Sequence, residues 1–201
     1  MDKPIRVLHI LQRMEAGGTQ ALLMNLYRNI DRSQIVFDFL IFKEENCFIK
    51  EAESYGSRIY KSACTDYISQ MKYIYKVVRK NDYKIIHCHN CSLKGLLKEV
   101  LPLKLEKRSL IVVAHSHNTG TPIVGSTLDK IERNILREIL TDFSDYLFAC
   151  SYKAGISKFV ERKKKPILVI KNGIDAKKFA FSAKRRTEIR NMLGIGEEVF
   201  V

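Results

Sequence analysis

Seven short apolar runs alternate with longer stretches whose apolar residues recur every three to four positions, and this alternation confines the chain to an α/β fold built on a parallel sheet. The runs are Ile5–Leu11, Val36–Phe42, Arg58–Tyr60, Ile85–His89, Leu110–His115, Tyr146–Cys150 and Ile167–Ile170, several of them apolar on both faces as buried parallel strands require. Between them, Leu22, Leu23, Leu26 and Ile30 keep helical spacing, as do Met71, Ile74, Val77 and Val78. Leu128, Ile131, Ile135, Leu136, Ile139 and Leu140 form the clearest apolar stripe, opposite Lys130, Arg133, Arg137 and Glu138, and predict an amphipathic helix lying on the sheet. The expectation is a doubly wound, Rossmann-like, mostly parallel sheet of about seven strands with helices on both faces. With 201 residues and 46% apolar content the chain can bury the core such a fold needs.

Open α/β sheets bind ligands outside the carboxyl ends of their strands, and polar residues collect there. Gly17, Gly18 and Thr19 follow the first strand, where glycines allow φ > 0 and a close ligand approach, and the free N–H groups of the next helix suit an anion. His89, Asn90 and Ser92 follow the fourth strand, and His115, Ser116, His117 and Asn118 the fifth. Ser151 follows the sixth and reads first as a helix N-cap. His87-Cys88-His89-Asn90-Cys91 contains metal-capable groups, but a strand sends His87 and His89 to one face and Cys88 to the other, which argues against a compact zinc set. Ala114-His115-Ser116-His117 runs into the loop Asn118-Thr119-Gly120, where a histidine can donate to a sugar hydroxyl or a phosphate.

Lysine plus arginine outnumber aspartate plus glutamate by 35 to 22, a net charge of +13, so a basic surface for an anionic partner stands beside a merely soluble one. Arg6 and His9 interrupt the first apolar run, which does not read as an export signal, and no apolar run approaches the roughly 20 residues of a membrane-spanning helix. The five cysteines, Cys47, Cys64, Cys88, Cys91 and Cys150, have no framework spacing and suit reduced thiols in the cytoplasm.

The motifs taken together resemble the N-terminal half of GT-B fold glycosyltransferases of the retaining group called family 4, in its bacterial capsular and exopolysaccharide flavour. The residues that carry the resemblance are Val7-Leu8-His9-Ile10 leading to Gly17-Gly18-Thr19-Gln20, Ile85-Ile86-His87-Cys88-His89-Asn90, Val112-Val113-Ala114-His115-Ser116-His117-Asn118 and Ala149-Cys150-Ser151. Val169-Ile170-Lys171-Asn172-Gly173-Ile174-Asp175, with Lys178-Phe179, looks like the crossing between the two domains of that family.

The resemblance implies residues 1–175 as an acceptor-side domain, and 176–201 as the crossing and the start of a donor-binding domain. It implies a nucleotide-sugar donor whose phosphates and sugar face Gly17, Gly18 and Thr19, and His117 or His115 near the reacting sugar. It further implies an acceptor-side pocket of His89, Asn90, Asn118 and Ser151, an interdomain crossing at Asn172, Gly173 and Asp175, and no metal ion or other cofactor. The acceptor would be a glycan or lipid-linked, in cell-surface polysaccharide biosynthesis, and the donor half would be needed for activity.

Two other classes stay open. A dinucleotide-binding module would need Gly-x-Gly-x-x-Gly and an acidic end to the second strand, where Phe42-Lys43 stands instead. A nucleic-acid-binding protein fits the charge, but aromatic-interleaved basic motifs are missing, so nucleic acid is not expected as a partner. Lys94–Arg108, with Leu96, Leu97, Val100, Leu101, Leu103 and Leu105, reads either as a core-facing helix with a basic side or as a peripheral contact with an anionic membrane surface. Past Asp175, a helix from about Lys184 to Leu193 should either dock on its own domain or pair with another copy, beside a strand at Val199-Phe200-Val201.

Overall fold

The computed structural model describes residues 3–43, 47–90, 92–105, 109–120 and 126–200. Its centre is a seven-stranded, all-parallel sheet in the order β3-β2-β1-β4-β5-β6-β7. The strands are β1 Ile5–Leu11, β2 Ile35–Ile41, β3 Ile59–Lys61, β4 Ile85–His89, β5 Ile111–Ser116, β6 Tyr146–Ala149 and β7 Ile167–Val169. All seven expected runs are strands. The order reverses between β1 and β4, which makes their carboxyl ends the topological switch point where such folds open a crevice.

The helices are α1 Gly18–Asn29, α2 Ile49–Ser54, α3 Tyr67–Lys80, α4 Leu93–Val100, α5 Thr127–Phe143, α6 Tyr152–Lys158 and α7 Ala183–Leu193. Alternate residues along each strand divide the core in two. Leu8, Ile10, Leu40, Ile86, Cys88, Ala114 and Leu147 pack with side chains from α3, α4, α5 and α6. Val7, Leu11, Phe37, Phe39 and Ile41 pack with Leu23, Met24 and Tyr27 of α1 and with Ile49 and Ala52 of α2.

Four expectations are corrected. Gly17 sits at φ −123°, in extended backbone, so the first turn makes no use of a left-handed conformation. In α1 the buried face is Leu22, Leu23, Met24 and Tyr27, while Leu26 is exposed, because the ring of Tyr27 stacks on Phe37 and turns the helix toward β2. The helix α5 forms as expected, but only its last turns reach the sheet: Leu140 is buried, whereas Leu128, Ile131 and Ile135 are exposed. Beyond Asp175, α7 forms but buries only Arg190, and residues 199 and 200 are not in a strand. Phe179, Phe181, Ile189, Met192 and Leu193 all remain exposed, so the tail does not dock on its own domain.

The segment 94–105 settles as α4 followed by a 3-10 turn, Leu101–Leu105. Leu96, Leu97, Val100 and Leu103 are core residues and are therefore not free to enter a bilayer. Arg108, at the end of that proposed surface, lies outside the described residues, as do Cys91, residues 121–125 of the loop after β5, and Val201. No helix among the described residues is long and apolar enough to cross a membrane.

Candidate functional site

Parallel pairing puts residues of equal parity on one face, and at the switch point it aligns histidines. His9 is the register partner of His87, and Leu11 that of His89. On the other side of β4, His87 is opposite Val113, which brings His115 alongside the end of the strand. All five histidines of the chain, His9, His87, His89, His115 and His117, therefore project from one face of β1, β4 and β5 and its continuation.

Their rings touch in series. His9 Nδ1 lies 3.0 Å from His89 Nε2, His89 Nδ1 lies 2.9 Å from His117 Nε2, and His87 Nε2 lies 3.2 Å from His115 Nδ1. Phe37 closes one side, its ring 4.3 Å from that of His9, and Phe148 meets His87 and His115 edge-on at 5.6 and 5.8 Å. Burial drives the ring pKa values down from the usual histidine range, to about 3 for His9, about 2 for His115 and about 4 for His117, and His87 and His89 fall well below it too. At neutral pH the five rings are uncharged.

A neutral imidazole has one N–H and one bare nitrogen. In the series His9–His89–His117 both bonds can form only if all three tautomers run the same way, which leaves an N–H at one end, on His9 Nε2 or on His117 Nδ1. Both of those atoms are buried without a partner, and so is His115 Nε2. Whichever tautomer is chosen, a buried donor stays unsatisfied, at a cost of about 1–3 kcal/mol. Groups left in this state call for a partner, whether an ordered water, an ion or a ligand.

The other residues singled out from the sequence fall into three groups. Gly17 caps α1 without a side-chain bond, and the first turn, with Gly18 exposed and Thr19 half-buried, has N–H groups available to an anion. A Cβ on Gly18 would stand 4.0 Å from Asn172 Nδ2, and Asn25 of α1 donates to the Gly173 carbonyl at 3.3 Å, so the glycine turn and the expected crossing are neighbours. Asp175 accepts from Lys177 N and caps a short 3-10 turn, Ala176–Phe179. A groove of about 870 Å³ runs between α1 and residues 170–178, bordered by Arg28, Lys177 and Lys178, and the histidines do not line it.

Asn90 does not face the crevice. Its side chain is buried, donates to Glu99 Oε1 at 2.9 Å and accepts from Ser92 N, and it fills the space where a Cβ on Gly95 would stand, 2.1 Å from Asn90 Oδ1. Glu99 itself is fully buried, which raises its carboxyl to about 8 against the pull of Asn90 and Lys98. Ser151 is the N-cap of α6, accepting from Ala154 N at 3.1 Å. Asn118 is exposed and accepts from Gly120 N.

His9 and His87 were not among the residues expected to serve the site. The signal was in the sequence: each strand next to the switch point carries histidine at alternate or matching positions, and only the register shows that they meet.

No protein-family model matches the chain. It is 28% identical over 202 aligned positions to a Bacillus subtilis (strain 168) protein named "Putative glycosyltransferase EpsF", an alignment that covers 96% of the chain and 51% of that protein. The chain thus spans about half the length of the curated relative it matches. Among solved structures, a UDP-GlcNAc 2-epimerase from Neisseria meningitidis bound to UDP-GlcNAc superposes with a TM-score of 0.58 at 12% identity, over 94% of this chain and 53% of that one. An alpha-glucosyltransferase in complex with UDP-glucose and DNA containing an abasic site reaches 0.50 at 15% identity, over 89% and 45%. The sequence similarity and the shared fold together support a GT-B glycosyltransferase-like domain.

Proposed function

We propose that this chain is the acceptor-side half of a retaining, family 4-like glycosyltransferase. It would act with a donor-binding half to move a sugar from a nucleotide donor to a glycan or lipid-linked acceptor in cell-surface polysaccharide synthesis. The observation that carries the reading is that the glycine-opened start of α1 lies against the Asn172-Gly173 segment, with the histidine cluster at the same carboxyl edge of the sheet, in a chain similar over 96% of its length to the protein named "Putative glycosyltransferase EpsF". Neighbours in fold that hold UDP-GlcNAc or UDP-glucose support a nucleotide sugar as donor. Cys47, Cys64, Cys88 and Cys150 are free thiols, which suits the cytoplasm or the inner face of a membrane.

In this reading the first-turn N–H groups of α1 take the diphosphate, whose charge grows as the bond to the sugar breaks. His117, half-buried at the end of β5 and neutral, offers a hydrogen bond to the sugar rather than a positive charge. Residues 1–175 form the working domain and 176–201 lead into the donor half.

Two measurements test it. The 201-residue chain alone should turn over no nucleotide sugar, because donor and acceptor must share one cleft, and multiple turnover by the chain alone would overturn the division of labour. In a protein that carries both halves, His117→Ala should lower turnover by about 10²-fold, and by more than His115→Ala. Equal or reversed effects would move the role to His115.

A further inference from the structure

We propose that His89, His115 and His117 form a binding site for one divalent transition-metal ion of the zinc, cobalt, nickel or copper class, with His9 and His87 as the outer groups that hold two of the ligand rings. This inference does not depend on the transferase reading.

The three rings each offer one nitrogen, and these lie within 4.8 Å of one another. His89 Nδ1 and His117 Nε2 are already 2.9 Å apart, where a tetrahedral ion with metal–nitrogen distances of 2.0–2.1 Å needs about 3.3 Å, so a small ring movement admits it. The third donor is His115 Nε2, a buried ring nitrogen without a partner.

Ligating histidines usually give their other N–H to an acceptor, which fixes tautomer and orientation. Those acceptors stand ready. His89 Nε2 faces His9 Nδ1 at 3.0 Å, and His115 Nδ1 faces His87 Nε2 at 3.2 Å. A second trio, His9, His87 and His89, also converges and is buried to the same degree, but His9 lies deeper in the sheet against Phe37 and Phe39. His117 follows β5 and is half-buried at the carboxyl edge, where folds of this kind receive ligands, which favours the outer trio.

The donor set also limits the ion. Three neutral imidazoles suit zinc, copper, nickel and cobalt, and do not suit magnesium or calcium, which take oxygen ligands. Cys88 packs on the opposite face of the sheet, so no thiolate joins them from β4. An ion on His117 would hold that ring away from a sugar, and the two roles exclude each other at any instant.

The test uses the chain stripped with a chelator at neutral pH. Titration with Co²⁺ followed by visible absorption, and with Zn²⁺ by calorimetry, should give one ion per chain, with ligand-field bands of a four-coordinate site of three nitrogens and one oxygen and no thiolate charge-transfer band. In the unaltered chain Zn²⁺ should shift the ring ¹⁵N resonances of His89, His115 and His117 most, a readout that needs no variant to fold. His117→Gln should weaken binding by about 100-fold or more, and His9→Leu by about 10-fold. Four results would overturn the proposal: no saturable binding of either ion, affinity unchanged in His117→Gln, a cobalt–thiolate band, or His9→Leu abolishing binding while His117→Gln does not.

Discussion

Asp38 and most of the histidine cluster are buried on opposite faces of one sheet, yet their hydrogen bonds are settled in opposite ways. Asp38, in the middle of β2 with its donors at or before the amino ends of β1, β3 and β4, is fully buried and accepts from Arg6 Nε at 2.7 Å, Arg6 Nη2, the Arg58 backbone N–H at 2.6 Å and Tyr83 OH at 2.7 Å. Each carboxylate oxygen is occupied twice. The histidines, toward the carboxyl ends, leave His9 Nε2, His115 Nε2 and His117 Nδ1 with nothing. A completed polar network ties strands together and asks for no ligand, whereas an incomplete one is open to one.

Removing Asp38 is the strongest way to break the comparison. Asp38→Ala should cost about 3–5 kcal/mol in urea unfolding, since Arg6 and Tyr83 lose their shared acceptor inside the fold. A loss under about 1 kcal/mol would mean that the amino-end network contributes no more than a surface ion pair.

Acid should come next, and it acts on the other end. The unfolded histidines titrate near 6.5, while in the folded chain His9 and His117 do so at about 3 and about 4. Between those limits the unfolded chain takes up protons that the folded one refuses, so stability is full above the upper limit and falls as the pH drops through the window. Glu99 works the other way, being protonated in the fold up to about 8, but it is one group against five. With five rings held neutral against Glu99, the metal-free chain should lose on the order of 3–4 kcal/mol between neutral pH and roughly pH 5.5, seen as a falling Tm. A flat profile would show that the rings are not held neutral.

Tyr83→Phe sharpens the contrast at its fine end. It removes one donor of four from Asp38, and the three that remain should keep the loss to about 1 kcal/mol. A larger loss would place the weight of the network on the tyrosine.

Much of this was legible in the order of residues. The seven runs gave strands because continuous apolar stretches leave little else for a buried backbone to do, and Ser151 read correctly as a cap from its place between a strand and a helical stretch. Two kinds of feature were not legible. Leu128, Ile131 and Ile135 have the spacing of a buried stripe, but spacing states which residues share a face and not whether anything covers it. The histidines failed for a different reason. His87 and His89 were weighed within their own strand, where the zinc reading lacks ligands, and the missing rings come from strands whose neighbourhood depends on register. The spacing at Gly17 suggests a left-handed turn, though its backbone is extended, and among the described residues the left-handed glycines are Gly56, Gly120 and Gly194.

The contact between His9 and His89 closes a span of 80 residues, and that between His89 and His117 a further 28. Nothing local holds these rings near one another, so their encounter waits until β1 and β4 are paired, after the intervening helices have formed and crossed. The entropy of such closures has to be met before the contacts they make can reward it, which slows the step. In a refolding experiment the histidine ring resonances should therefore take their final positions only with the last cooperative step, and they serve as a clock for completion of the sheet.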